Sequence, residues 1–486
     1  MTETSRITDA VVEFITSVQW RDFPAEAVDL AQRCLIDGMG VMLAGATTRG
    51  SAVLREYIRA SGGAPEATVF APDCFQTGTA SAALANAASG HAMDWDDTQL
   101  SSTPDRIFGL LTHPTMPPLA AAFALGERHH VSGASFLSAF LTGFEVECKM
   151  AEAIHPDHYK KGFHSSGTVG AFGATAAAAK LLALDADAVA NAIAITASLC
   201  AGIRVNFGTM TKPLHVGRAA QNGVFAAELA SRGFTGGREA LDGPWGFFQI
   251  FGLGGEPDPA RISGALGNPY SILSPGVSIK PYPCGVLGHP TMDAMRKLVL
   301  THDVQPEQIA AIRLRAGSNI LNPLRYKVAQ SELEAKFSPP FMLAAIAIRR
   351  KAGIHEFNDE FVRSPAVQRM MNRVEMILDA GIEAQGFDKI RSIVEVDLID
   401  GRRFVEQADE RYRGGPDCPF TREELHDKFR ECAELTLPQT AITETLSMLE
   451  SLADVSDISD LVRVMSAPKR PSETALNPVP ASPSSR

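Results

Sequence analysis

Five alanine-dominated stretches decide what this chain can fold into: residues 115–127, 132–153, 166–184, 186–201 and 219–231. Alanine has the highest helix propensity and almost no side chain to lose entropy. Long helices built from it must pack closely on one another, so a multi-helix assembly sharing one core is the natural outcome. The same texture precedes them. Val11, Val12, Phe14 and Ile15 open one amphipathic segment, and Leu30, Leu35, Ile36 and Met42 are spaced along a second, over residues 25–44. Residues 1–268 are therefore predicted to form one helical domain.

Around residue 265 the pattern changes. Gly267-Asn268-Pro269 and Ser274-Pro275-Gly276 punctuate the chain, and β-branched alternation follows. Residues 309–315 and 392–398 read as strands, and Asp400-Gly401 turns the second into residues 403–406 as a hairpin. A helix over 338–350 lies between them. Residues 269–408 are predicted to be a smaller α/β lid domain. After Gly414-Gly415-Pro416 helix returns, with Thr421 as N-cap and Glu424 completing a capping box, then segments at 440–452 and 458–465. Residues 409–465 are expected to rejoin the first domain, and 466–486, rich in Pro and Ser, to be a disordered tail. The fold class is mainly α with a smaller α+β domain: a helical domain built from both chain ends plus a lid.

The net charge of −11 and the lack of a basic stripe argue against a nucleic-acid partner. Seven scattered cysteines, with no CxxC or Cys/His pair at zinc spacing, fit a reducing compartment. Neither a signal region nor a membrane-length apolar run is visible, so a cytoplasmic protein without membrane attachment is expected.

Residues 91–98, His-Ala-Met-Asp-Trp-Asp-Asp-Thr, follow an Ala-rich run. If that helix continues, His91, Asp94 and Thr98 share one face while Asp96 and Asp97 turn away. The octet reads equally as a solvated acidic turn. Four other stretches gather functional residue types. His113 precedes a helix beginning near Met116, where backbone N–H groups favour anions, although a surface turn fits it as well. Residues 162–168 contain His164 and lead into a helix dotted with Gly167, Gly170 and Gly173, so a ligand or another helix must approach closely. Lys212 and His215 precede a helix over 217–231, and Lys212 reads alternatively as a solvated surface lysine. Lys280, Tyr282 and His289 lie in a Pro-stiffened segment that favours a fixed lysine.

No phosphate loop, dinucleotide fingerprint, GxSxG elbow or HExxH is present. Asp94, Asp96 and Asp97 with His91 or His113 could bind Mg²⁺, but the second acidic motif this needs is not found, and no metal or other cofactor is expected. Lysines and histidines beside one carboxylate suit an anionic substrate undergoing proton transfer, the lysines stabilising charge that builds on the α-carbon. This pattern predicts a lyase, isomerase or decarboxylase.

HAMDWDDT, the HPT after it, GFHSSGTVGAFGATAAAAKLL, TKPLHVGRAAQNG and KPYPCGVLGHPTMDA resemble the signature blocks of the MmgE/PrpD family, in family order. The resemblance runs from Ile7 to Val464. It implies a helical domain with an α/β lid, a homodimer, no cofactor, and a small di- or tricarboxylate substrate. It also implies catalytic roles for Asp94, His113, His164, Lys212 and Lys280, with Thr98, His215, Tyr282, His289 and Phe341 as substrate-binding residues. Two departures from the animal cis-aconitate decarboxylases stand out: a longer connection between Thr98 and His113, and Phe341 where those enzymes are expected to carry a tyrosine. The phenylalanine counts against the decarboxylases, and the long connection with the overall texture turns the expectation toward the family's epimerases of iminodisuccinate-type substrates, with 2-methylcitrate dehydratase and cis-aconitate decarboxylase chemistry as alternatives. A catalytically dead helical scaffold would lack a Lys or His from the five blocks, and none is missing.

Overall fold

The computed structural model describes residues 6–101, 103, 111–154, 157–252, 259–387 and 389–468. Residues 469–486 of the expected tail and most of the long connection after Thr98 lie outside them.

The alanine stretches form helices as the sequence requires, and with the segments before them they build one helical assembly. In chain order they are α1 (Ile7–Ser17), α2 (Ala25–Gly45), α3 (Arg49–Ser61), α4 (Thr79–His91), α5 (Met116–His129) and α6 (Gly133–Ile154). Then come α7 (Gly170–Leu181), α8 (Ala186–Ala197) and α9 (Thr211–Ala230). A small hairpin, β1 (Ala67–Val69) and β2 (Phe75–Thr77), interrupts them. Glycines set the closest approaches. A Cβ on Gly173 would meet Glu147 of α6 at 2.7 Å, one on Gly170 would meet Pro117 of α5 at 2.8 Å, and one on Gly167 would meet the Ala201 carbonyl at 2.5 Å. The glycine run therefore admits neighbouring backbone and side chains rather than a ligand.

The second region carries α10 (His289–Thr301), α11 (Pro339–Arg349) and a four-stranded sheet. Its strands are β3 (Ile309–Ala316), β4 (Val374–Leu378), β5 (Ser392–Leu398) and β6 (Arg403–Gln407), in the order β4-β3-β5-β6. The β3–β4 pair is parallel and the other two antiparallel, and the β5–β6 hairpin turns at Gly401. Residues of β5 alternate buried and half-buried, so the sheet presents one face to its own core. Strand β4, Val-Glu-Met-Ile-Leu, was hidden in the sequence because it sits between two short helices without turn punctuation.

The C-terminal helices α12 (Arg422–Ala433), α13 (Gln439–Glu450) and α14 (Ile458–Met465) pack into the same hydrophobic core as α2, α4 and α5. Thr421 and Glu424 form the expected reciprocal cap. The backbone of α2 meets α12 at Gly40, where a Cβ would lie 3.2 Å from the Phe429 ring. Both chain ends thus build one body, while the core between Tyr282 and Tyr412 belongs to the sheet region.

Candidate active site

Helix α4 does not continue through residues 91–98. It stops at His91, and Asp94 takes a left-handed backbone, φ 53°. Such a conformation is costly for a non-glycine residue and persists only where its surroundings enforce it. The expected common helical face of His91, Asp94 and Thr98 is therefore absent. Asp96 and Asp97 do not turn away to solvent either, because both are buried. Nδ1 of His91 lies 2.9 Å from both carboxylate oxygens of Asp96. Asp97 accepts from the Thr115 hydroxyl at 2.7 Å and its N–H at 3.3 Å, tying the octet to the start of α5.

The left-handed turn aims Asp94 at two lysines from distant parts of the chain. Lys212 is not ahead of its helix but in the first turn of α9, and its Nζ donates to Asp94 Oδ1 at 2.8 Å. Lys280 donates to the same oxygen at 2.8 Å and to the Asp94 carbonyl at 2.9 Å. Thr98 helps bring Lys280 there, since it pairs with Ser278 through N–H···O contacts of 2.9 and 2.8 Å. Ile279 then donates to the Gly414 carbonyl at 2.9 Å. Gly414 has φ 83° and would drive a Cβ into the Ile279 carbonyl, so only glycine fits there. All three charged groups are at least 95% buried. Burial alone would raise the Asp94 carboxyl, but the ammonium groups of Lys212 and Lys280 outweigh it and hold it well below its ordinary value. Burial lowers Lys212, against the pull of Asp94. Asp94 Oδ2 has no hydrogen-bond partner among the described residues.

Three imidazoles stand beside this centre. The rings of His91 and His113 are 4.5 Å apart, and those of His91 and His164 5.5 Å. His113 Nδ1 lies 2.8 Å from the Asp97 carbonyl. A carbonyl can only accept, so Nδ1 carries the proton and Nε2 keeps its lone pair. His164 Nδ1 meets His215 Nδ1 at 3.1 Å. Nε2 of His91 and of His164 are buried without a partner among the described residues. Burial, reinforced for His91 and His164 by Lys212, pushes these rings well below the ordinary histidine range and keeps them neutral. His215 is lowered to about 4 by burial and then by Lys212. One nitrogen each of His91, His113 and His164 lie within 4.8 Å of one another, as do donors of His91, Asp94, Asp96 and His113. These are the residues that could hold a metal ion, although two ammonium groups already share Asp94 and make a dication a poor neighbour.

Asp94, His113, Lys212 and Lys280 line one small cavity, which gives about 30 Å³ to water-sized occupants. Tyr159, Phe207, Gly285, Val286, Leu287, Pro323, Leu324 and Phe337 complete it. The charged floor comes from the helical body, and most of the apolar wall comes from the sheet region. Lys212 Nζ also lies 5.1 Å from the Phe207 ring and 5.3 Å from the Phe337 ring. A roomier cavity of about 370 Å³ between α3 and the start of α9 contains none of these charged groups.

None of the five expected binding residues lines the charged cavity, and three of them are engaged by other partners. The Tyr282 hydroxyl donates to Asp293 at 2.6 Å, and its side chain faces a different surface hollow with Arg296 and Arg413. His289 begins α10, and its Nε2 meets the Cys284 carbonyl at 3.1 Å. Phe341 is fully buried in the lid core, its ring 5.1 Å from that of Phe357. Phe341 thus does not replace an active-site tyrosine. The cavity already has a phenol, Tyr159, with Arg204 stacked 3.8 Å from its ring, and the Tyr326 hydroxyl reaches the Phe207 carbonyl at 3.2 Å. The apolar wall and Tyr159 escaped sequence reading because ordinary Phe, Leu and Tyr carry no local mark of a site.

Residues 9–260 match the MmgE/PrpD N-terminal domain and residues 282–453 the MmgE/PrpD C-terminal domain. Cis-aconitate decarboxylase of Homo sapiens is 27% identical over 482 residues, covering 97% of this chain and 97% of that protein. Cis-aconitate decarboxylase of Mus musculus is 27% identical over 457 residues, covering 92% and 90%. Cis-aconitate decarboxylase of Aspergillus terreus is 22% identical over 488 residues, covering 96% of each. The chain belongs to the MmgE/PrpD family, and with it to the lyases and isomerases.

Proposed function

We propose that this MmgE/PrpD enzyme is a cofactor-independent lyase that removes CO₂ or water next to a carboxylate of a small di- or tricarboxylate. One observation carries the reading: two buried ammonium groups converge on a single oxygen of Asp94 at 2.8 Å each. Both ammonium groups are held by the same oxygen of Asp94, while Asp96 is engaged by His91, so each lysine keeps N–H donors that a substrate carboxylate could accept from. The same ammonium groups stabilise negative charge spreading from the reacting carbon into that carboxylate.

Decarboxylation uses both sides of the cavity. The C–C bond to one carboxylate breaks, its electron pair passes into the conjugated acid held on the floor, and neutral CO₂ departs along Phe207, Leu287, Leu324 and Phe337. A proton then returns to carbon. His113, whose bare Nε2 belongs to the cavity wall, and Lys212, whose proton is loosened by burial, are the groups to exchange it. Dehydration runs on the same residues, with His113 taking the α-proton and Lys212 protonating the departing hydroxyl. The names of the relatives and the apolar wall favour loss of CO₂.

Epimerisation of an iminodisuccinate-type substrate is the second reading, favoured by the presence of both an imidazole and an ammonium group that could serve opposite faces of one carbon. His164, positioned by His215, and Thr98, at the bridge to Ser278, support the same site in either reading. A cytoplasmic homodimer accompanies it. Among the described residues no helix is long and apolar enough to cross a membrane, and Phe225, Phe234 and Trp245 expose apolar surface that a second copy could cover.

Incubation with cis-aconitate, 2-methylcitrate and iminodisuccinate in D₂O, followed by proton NMR, separates the readings. Loss of CO₂ or water from one of the acids supports the lyase. Deuterium entering the α-carbon with nothing lost supports the epimerase and overturns the lyase.

A further inference from the structure

The catalytic groups rest on a third buried lysine that the chemistry does not use. Lys428 of α12 is 6% exposed and lies in the interior behind the site. Its Nζ donates to the carbonyl of Trp95 at 2.9 Å and to the carbonyl of Lys280 at 2.9 Å. It is also 2.6 Å from Asp37 Oδ1 of α2 and 4.8 Å from the centroid of the Trp95 ring. Trp95 is the neighbour of Asp94, and Lys280 is the group that Asp94 binds.

We propose that Lys428 is a positioning residue that fixes Asp94 and Lys280 relative to each other by gripping the carbonyls of Trp95, the residue after Asp94, and of Lys280 from behind. Three chain segments far apart in sequence meet on this one ammonium group: α2, the left-handed octet and the segment leading into the lid. Without it two buried carbonyls lose their donor, and nothing else among the described contacts bonds both. The octet already holds Asp94 in a strained conformation, so it relaxes readily once released. Displacement of a catalytic group by about 1 Å commonly costs on the order of 100-fold in rate. Asp37 serves the same device at one remove. Its carboxyl is raised by burial and drawn back by Lys428, and it balances the charge that Lys428 brings into the core.

The test separates positioning from mere charge balance. Lys428→Met alone strands Asp37 and is expected to weaken the fold, so the informative protein is the double variant Asp37→Leu/Lys428→Met. Replacing both partners of a buried ion pair with apolar groups of similar size is commonly neutral or stabilising. Only the cost of the two carbonyls that lose their donor then remains, so the double variant is expected to fold and to melt a few degrees below the parent, yet to lose about 100-fold in kcat with KM within about threefold. Its crystal structure is expected to show Lys280 Nζ drawn out of hydrogen-bond distance of Asp94 Oδ1. A folded double variant with parental kcat, or with the Lys280–Asp94 contact unchanged, overturns the proposal. A double variant that does not fold overturns it as well, since Lys428 is then structural. The crystallographic comparison needs no substrate, so failure of the lyase reading leaves this test intact.

Discussion

Two sets of ion pairs in this molecule use the same side-chain chemistry to opposite ends. On the outer face of the lid sheet, Arg313 of β3 reaches Glu395 at 3.0 Å and Asp397 at 2.6 Å on β5, and Arg403 of β6 reaches Asp397 at 2.6 Å. These pairs are balanced, cross-strand and partly open to water. At the active centre, Asp94 meets two lysines with at most 5% of any side chain exposed. The sheet ladder is solvated, so it contributes little and can drift without consequence. The buried centre cannot fall back on water, so the lysine donors that Asp94 leaves unused favour an anionic ligand. Position, not residue type, separates a structural ornament from a reactive site.

The contrast breaks most visibly at Asp94. Asp94→Asn leaves two ammonium groups buried together, and the variant is expected to be inactive and less stable by about 3–5 kcal/mol in a denaturant titration. Lys280→Ala and Lys212→Ala sharpen the point from the other side. Each leaves Asp94 one cation, a balanced pair, so each is expected to lose at least about 10³-fold in turnover with a nearly unchanged melting temperature. Normal turnover in either variant would remove that lysine from the site. His113→Gln keeps the shape of the wall but not the base, and steady-state kinetics are expected to show a loss of about 10²–10⁴-fold.

A smaller effect is expected in the pH dependence of stability. Burial holds folded His113 well below its ordinary value. Below about pH 6.5 the unfolded chain takes up a proton there that the folded chain refuses, so stability present above that pH is lost as pH falls. Parent protein should therefore lose more stability than His113→Gln between pH 7 and pH 5, by up to about 2 kcal/mol. Equal losses would mean that the imidazole protonates without cost in the fold. The smallest change belongs to the ladder. Arg313→Ala is expected to cost about 1 kcal/mol or less, to vanish in high salt, and to leave turnover alone.

Those two regions also differ in how far the sequence reveals them. Alternation in residues 392–398 and the Asp400-Gly401 turn mark the sheet locally, and the alanine stretches mark the helices. Asp94, His113, His164, Lys212 and Lys280 can be named because each sits in a distinctive block. Their geometry could not be read, because it depends on a broken helix. Continuing α4 by periodicity puts His91 on one face with Asp94 and turns Asp96 away from it, whereas the chain leaves the helix after His91 and brings the Asp96 carboxylate onto the His91 ring. Phe341 is a different case: it is buried in the lid core, and Phe337, four residues earlier, lines the cavity. Lys428, 334 positions after Asp94 in the numbering, carries no motif at all. Contacts of that range appear only once α12 is packed on α2.

The central claim is that a proton moves beside a carboxylate on the Asp94–Lys212–Lys280 floor. It is tested most directly by following cis-aconitate in D₂O by NMR with the parent protein and with folded Lys280→Ala side by side. The account predicts CO₂ release with one deuterium placed on the product carbon by the parent, and neither event above the uncatalysed rate with the variant. Equal deuterium incorporation by both proteins would contradict it.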